Sequence, residues 1–279
     1  MSKPISLSAS IVLFHPDADW LGDTLRSLSA AFVHARDKGL LASLGVTLIH
    51  NDDTLAHDCA PSVQEQIASM RAQGITVDHS FGHGNIGFGA GHNIAIRQSE
   101  AEFHLVLNPD LKLADDALTQ ALSFLTGRKE VALVAPQIKN DAGESLHGCK
   151  RYPSVFDFLL RGFAPQMLKR RFAKRLAHYE MHDLAEDTVS VDIPISSGCC
   201  MLFRTHALLQ AEGFDERYFL YFEDFDISIR IRAYGLIAYV PWVHVIHHGG
   251  HSAKKGWRHI LMFARSGLRF FHSHGWRLL

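Results

Sequence analysis

Three carboxylates stand within four residues at Glu223-Asp224-Phe225-Asp226, just ahead of an apolar helical pattern. Closely spaced carboxylates raise one another's pKa, which suits one of them to work as a general base. Complementing the start of a helix is an equally physical use for one of the three. A further carboxylate, Asp110, closes the turn Asn108-Pro109-Asp110, where Pro109 stops a strand. A carboxylate so placed can hold Mg²⁺ or Mn²⁺, which usually takes one or two protein carboxylates plus substrate phosphates. Histidines gather at His244, His247, His248 and His251. On a strand, His247 faces away from His244 and His248, so the four do not converge on one ion. Neither a cysteine pair nor H-E-x-x-H accompanies them, which weighs against zinc. A single imidazole, His247, joining Asp110 at a divalent ion is the favoured reading.

Five glycines fall between Gly82 and Gly91. Gly82-x-Gly84-x-x-Gly87 matches the dinucleotide fingerprint letter by letter, but it follows a third strand rather than a first. The segment therefore reads as backbone that can approach a ligand closely, with Asn85 and Asn93 offering amides to a base or sugar. Lys169, Arg170, Arg171, Lys174 and Arg175 put five cations in seven residues, interleaved with apolar side chains across 150–178. Such a stretch suits an anionic membrane surface, acceptor phosphates, or a solvated helix face over a local core. The chain from Lys254 to Arg277 repeats the mixture.

The elements that must position these groups alternate. Ser6–Phe14 reads as a buried strand, followed by helical spacing at Leu21, Leu25, Leu28 and Phe32 with Asp17 or Asp19 as cap. Val46–Ile49 is a second strand, Val63, Ile67 and Met70 mark a helix, and Ile75–Val77 is a third strand. A short helix is expected from about Gly91, then a strand over Phe103–Leu107. This rhythm predicts an α/β fold with a mainly parallel, mixed sheet flanked by helices. Ligands of such sheets bind beyond the strands' carboxyl ends, where His15, Asn51, Asp52, Asp53, Asn108 and Asp110 collect.

The second half is less regular. Val131–Ala135 reads as a strand, Ile195–Phe203 as an apolar run containing Gly198, and Thr205–Glu212 as a short helix. Ile227, Ile231 and Tyr234 mark a helix over Asp224–Tyr234, followed by two late strands, Leu236–Val240 and Val243–Ile246. One domain over 1–279 is expected, with a first half to about 115 and an elaborated second half from about 116.

Composition agrees with a folded chain: 47% hydrophobic and 20% charged residues exclude extended disorder. A net charge of −1 argues against nucleic acid as a partner of the whole protein. The cysteines Cys59, Cys149, Cys199 and Cys200 lack C-x-x-C spacing and read as reduced, packed thiols. The start, Met1-Ser2-Lys3-Pro4, lacks the apolar core of a signal peptide, so a cytoplasmic address is expected, with peripheral contact at the inner membrane face.

Taken together, the motifs resemble family-2 glycosyltransferases of GT-A fold, most like bacterial rhamnosyltransferases. The resemblance rests on Asn85-Ile-Gly87-Phe-Gly89-Ala-Gly91-His-Asn93, Leu107-Asn108-Pro109-Asp110, Gly198, the run Gly213 to Asp226, Arg230, Val240-Pro241 and His247-His248-Gly249-Gly250-His251-Ser252. It implies inverting transfer from a nucleotide-sugar, dTDP-L-rhamnose first, to a lipid-linked or oligosaccharide acceptor of a surface polysaccharide. Asp224 then matches the catalytic base, with Glu223 as its alternate. Asp110 and His247 match the Mg²⁺ or Mn²⁺ site. His15, Asn51, Asp52, Asn85, Gly87, Gly89, Asn93 and Asn108 fall on the donor side, and Gly198, Tyr221 and Asp226 on the acceptor side. Two departures lie at the nucleotide base: His50 stands where an aspartate is common, and Phe14-His15-Pro16 where Tyr-Asn-Pro is usual. They keep a UDP-sugar donor (galactofuranose or N-acetylglucosamine) open, as well as a non-catalytic nucleotide-sugar or glycan binder.

Overall fold

The computed structural model describes residues 5–52, 60–249 and 256–279. Met1 to Pro4, Asp53, Cys59, Gly250, His251, Ser252 and Lys254 lie outside the described residues. The first half builds β1 (Ile5–Leu13), α1 (Ala18–Asp37), β2 (Leu41–His50), α2 (Pro61–Ala72), β3 (Thr76–Ser80), α3 (Phe88–Gln98) and β4 (Phe103–Leu107). Asp17 caps α1, its carboxylate accepting from the amides of Asp19 and Trp20. Helix α3 begins three residues earlier than its glycines suggest. Gly87, at φ 94°, makes the left-handed turn that launches it, and a side chain there would strike the Phe219 carbonyl.

Next come β5 (Leu111–Leu113), α4 (Ala117–Gly127), β6 (Val131–Lys139), β7 (Cys149–Lys150), α5 (Val155–Phe163), α6 (Gln166–Arg171) and α7 (Ala173–Tyr179). The chain continues through β8 (Ser190–Val191), β9 (Ile195–Ser196), β10 (Cys200–Arg204), α8 (Thr205–Gln210), α9 (Glu223–Ile231), β11 (Leu236–His247) and α10 (Trp257–His274). The apolar run 195–203 is thus two strands, split at Ser197-Gly198-Cys199. Conversely, the two late strands expected at 236–246 are one, carrying an irregularity between Val240 and His244 where Pro241 cannot donate to the ladder.

The main sheet has the order β3-β2-β1-β4-β10-β6-β11-β5, with β8 paired to β11. Its first four strands run parallel, and β10 enters antiparallel between β4 and β6. Both halves of the chain contribute to this sheet. Helices α1, α2 and α4 pack on one face through Leu25, Leu28, Phe32, Met70 and Leu122. Helices α3, α8 and α9 cover the other through Ile96, Leu208, Ile227 and Ile231. A separate aromatic cluster of Phe158, Tyr179, Tyr218, Phe222, Phe270 and Phe271 joins α5, α7 and α10. Cys149, Cys199 and Cys200 are free and buried. His92 and His104 are buried too, held by the hydroxyls of Ser8 and Ser10. Burial drives the pKa of His104 down to about 3, so it stays neutral.

Candidate active site

Strands β2 and β4 flank β1, so the chain's crossovers diverge there and leave a crevice at the carboxyl ends. A cleft of about 600 Å³ opens at that point. Its walls come from the end of β1 (Phe14, His15), the end of β2 (Asn51), the glycine loop (Asn85, Gly87) and the turn after β4 (Asn108, Asp110). Helix α10 closes one side with His259 and Met262.

His15 adopts φ 49°, a left-handed conformation rare for a residue with a side chain. Its amide donates to Asp52 Oδ2 at 2.8 Å, so Asp52 holds the β1 end in place. Asn51 Nδ2 donates to the Gly87 carbonyl at 2.9 Å, and Asn85 Oδ1 accepts from the Gly87 amide. These bonds fix the glycine loop against β2. His50 pairs with His79 at 3.0 Å, Nε2 to Nδ1, so its ring is engaged along the sheet. Burial and the neighbouring His79 hold the pKa of His50 low.

Asp110 and His247 meet, Nε2 to Oδ2, at 3.1 Å. The turn after β11 wraps this residue: His248 N–H donates to the Asp110 carbonyl, and Gly249 passes so close that a Cβ would overlap Oδ2. His244 binds Gln137 and His248 binds Asp141, so these two point elsewhere. Asp110 Oδ1 and Asn108 Oδ1 are buried without a hydrogen-bond partner. Buried oxygens that accept nothing call for a ligand. Two such oxygens and an imidazole fit a hard divalent cation that takes its remaining ligands from phosphate and water. Among the described residues no group of three or more His, Cys, Asp or Glu is ready to hold a metal by itself.

Asp224 sits in the first turn of α9 and is not among the residues that line the cleft. Its Oδ2 accepts from the Gly198 amide at 2.9 Å and its Oδ1 from the Phe225 amide at 3.0 Å. Tyr221 and Phe222, at φ 71° and 69°, form the tight entry that aims Glu223 and Asp224. Two consecutive left-handed residues store strain of the kind found at functional sites. Cys199 links the two carboxylates: its carbonyl accepts from Asn108 N–H at 2.8 Å, and both Asp110 and Asp224 raise the pKa of its thiol. Burial raises Asp224 to about 6, opposed by the Gly198 and Phe225 amides and by Lys150. Glu223 is pushed well above the usual carboxylate range by burial and then by the charge of Asp224. Burial thus favours the neutral form of both carboxyls, and the charge of Asp224 adds to that push at Glu223.

Several expected site residues do other work. Asn93 is a clamp, donating to the Phe214 carbonyl and Glu216 and accepting from the Phe214 amide, so it does not face the cleft. Gly89 is a packing position, where a Cβ would strike Phe214. Asp226, placed by sequence with the acceptor, is buried with one oxygen on Arg230 and the other on His274. Both of its oxygens are thus engaged within the protein. Gly198 lies under Asp224: a Cβ would come within 2.9 Å of Asp224 Cβ. Tyr221 bonds His259 of α10 through its hydroxyl. Residues that sequence reasoning passed over include the cleft-lining His259 and Met262, and Lys150, whose charge acts on Asp224 from β7. The Lys150 signal was faint: a lone lysine at the end of a two-residue strand.

Residues 11–259 match the family model described as "Glycosyltransferase like family 2". The chain belongs to that family, and its fold is of the GT-A type. It is 29% identical over 179 residues to the rhamnosyltransferase WbbL of Escherichia coli (strain K12), covering 61% of this chain and 63% of that protein. It is 28% identical over 213 residues to the N-acetylglucosaminyl-diphospho-decaprenol L-rhamnosyltransferase of Mycobacterium tuberculosis (strain ATCC 25618 / H37Rv), covering 69% of this chain and 67% of that protein. The match to WbbL therefore spans under two thirds of that relative's length. Among solved structures, GalNAc-T7 with UDP, GalNAc and Mn²⁺ superposes with a TM-score of 0.64 at 14% identity, over 98% of this chain and 48% of that one. The mannosyltransferase PcManGT from Pyrobaculum calidifontis, with GDP-Man and Mn²⁺, gives 0.60 at 16% identity, over 96% and 65%. At these identities the structures speak for the fold alone.

Proposed function

We propose that this protein is a metal-dependent, inverting glycosyltransferase that moves L-rhamnose from dTDP-L-rhamnose to a lipid-linked saccharide during synthesis of a bacterial surface polysaccharide. The observation that carries the reading is the pairing of two carboxylates, Asp110 and Asp224, either side of Gly198-Cys199 at the sheet's carboxyl edge. Both curated relatives described above are rhamnosyltransferases, and one is named for a lipid diphosphate acceptor.

In this reading Phe14, His15, Asn51 and Asn85 receive the nucleoside, and the glycine backbone at Gly87 lies along the donor. Asp110 and His247 would hold Mg²⁺ or Mn²⁺, which when bound offsets charge on the diphosphate leaving group. Asp224, ionised above about pH 6, takes the proton of the acceptor hydroxyl. The hydroxyl oxygen forms the new bond to the anomeric carbon from the side opposite the diphosphate. The bond to the diphosphate breaks and the nucleoside diphosphate leaves, so the configuration inverts. Glu223 beside it is pushed toward its neutral form by burial and by the charge of Asp224.

His50, engaged by His79, stands where the family commonly has an aspartate at the nucleotide base, so a second reading keeps the same chemistry with a UDP-sugar. Calorimetric titration with dTDP, UDP and GDP, each with and without Mn²⁺, separates them. Metal-dependent selectivity for dTDP that is lost in Asp110→Ala is expected. Preference for UDP would replace the donor and keep the class. No metal-dependent binding of any of the three would remove the enzyme reading.

A further inference from the structure

Helix α10 is apolar on two sides. Its inner side buries Phe270 and Phe271 in the aromatic cluster and lays Gly267 against the Phe222 ring. Its outer side should then be polar, as in most surface helices. Instead Trp257, Leu261 and Leu268 are 70%, 61% and 60% exposed, with Ile260 exposed beside them. Spacings of three, four and seven residues put these four on one outward stripe. Arg258 and Arg265, at the same helical period, border it. No aspartate or glutamate occurs after Asp226 in the chain.

The stripe does not end with the helix. The tail folds back on α5, where the amides of Val155 and Phe156 donate to the Arg277 and Leu278 carbonyls. Phe158 of α5 packs on Phe263 of α10 at 5.4 Å between ring centroids. Beyond α5, α6 presents Met167, 82% exposed, next to Lys169, Arg170 and Arg171. The two basic and apolar stretches, about a hundred residues apart in sequence, are thus neighbours in the fold.

We propose that the outward stripe of α10, with the adjoining tail and α6, is a docking surface for an anionic phospholipid bilayer. Exposed tryptophan and leucine flanked by arginine, without an acidic residue, is the chemistry of an interfacial helix. A second copy of the chain fits poorly, since a two-fold contact would set Arg258 and Arg265, which have no carboxylate partner among the described residues, against the same arginines. The opposite side of α10 lines the cleft through His259 and Met262, so docking brings the cleft to the headgroup layer. This last point rests on the lipid-linked acceptor proposed above; the docking surface itself does not.

The test is cosedimentation with vesicles of phosphatidylcholine alone and of phosphatidylcholine with phosphatidylglycerol. The wild type and the double variant Leu261→Glu/Leu268→Glu are compared, each also titrated with nucleotide and Mn²⁺. Both leucines are exposed, so the fold tolerates the change. The wild type should partition onto the anionic vesicles, and the variant should do so at least about tenfold more weakly. Unchanged nucleotide affinity of the variant shows that the site is intact. Absent vesicle binding, or equal binding by the variant, overturns the docking surface. A dimer by light scattering that the variant loses, with no vesicle binding, assigns the face to a subunit contact instead. Vesicle binding without nucleotide binding leaves the docking surface standing and removes the proposed function.

Discussion

Replacing Asp224 by asparagine separates what this carboxylate does for the reaction from what it costs the fold. Burial moves its pKa from an ordinary 3.8 to about 6. Holding it ionised at pH 8 therefore costs the folded chain up to about 3 kcal/mol. Above pH 6 the group is ionised in folded and unfolded chains alike, and the whole cost is present. Between about pH 4 and 6 only the folded chain keeps the proton, so stability rises as pH falls through that window. Asparagine removes the ionisation but leaves one oxygen for two amides, those of Gly198 and Phe225. The bond it forfeits is worth about 1–2 kcal/mol. Asp224→Asn should thus be about 1 kcal/mol more stable than wild type at pH 8 and less stable near pH 4.5, measured by urea unfolding. Transfer should fall by about 10²–10⁴, the usual contribution of a general base. The wild-type rate should drop about tenfold per pH unit below 6. Turnover by Asp224→Asn within tenfold of wild type, or a flat wild-type profile from pH 4.5 to 7.5, would refute the assignment of Asp224 as base.

Lys150→Met should move the acid limb of the pH–rate profile upward, because the buried ammonium opposes the rise in the pKa of Asp224; an unmoved limb would show that the lysine does not act on the base. Gly198→Ala should lower kcat while leaving the donor KM near wild type, since the new methyl presses on Asp224 and not on the cleft; an equal loss in both parameters would contradict that split. Asn93→Ala should destabilise the fold by about 1–3 kcal/mol through the unpaired Phe214 groups it leaves. Its nucleotide affinity, titrated in the folded protein, should match wild type, and a weakened affinity would return Asn93 to the donor site.

The alternating strands and helices up to Leu107 were legible because each carries its own signal: β-branched and leucine runs, helical leucine spacing, a capping Asp17. The short elements were not. Strand β5 is three residues long and is held by β11, far away in sequence, and α4 follows it with no capping side chain. The carboxylates at 110 and 224 were visible as residue types at strand and helix ends. What sequence cannot show is where a polar side chain spends its hydrogen bonds. Asn93 and Asp226 carry the right chemistry for sugar contacts, yet their partners, Phe214, Arg230 and His274, use it up. The same limit hid His259 and Met262, which reach the cleft only because the aromatic cluster seats α10 beside it.

The measurement that bears most directly on the proposed chemistry is the anomeric configuration of the sugar before and after transfer. Wild-type protein with Mn²⁺ is given dTDP-L-rhamnose and a lipid-linked N-acetylglucosaminyl diphosphate, and the one-bond carbon–proton coupling at the anomeric centre is compared between donor and product. An inverted centre, formed by wild type and not by Asp224→Asn, is the expected result. A retained configuration would contradict single displacement with Asp224 as base.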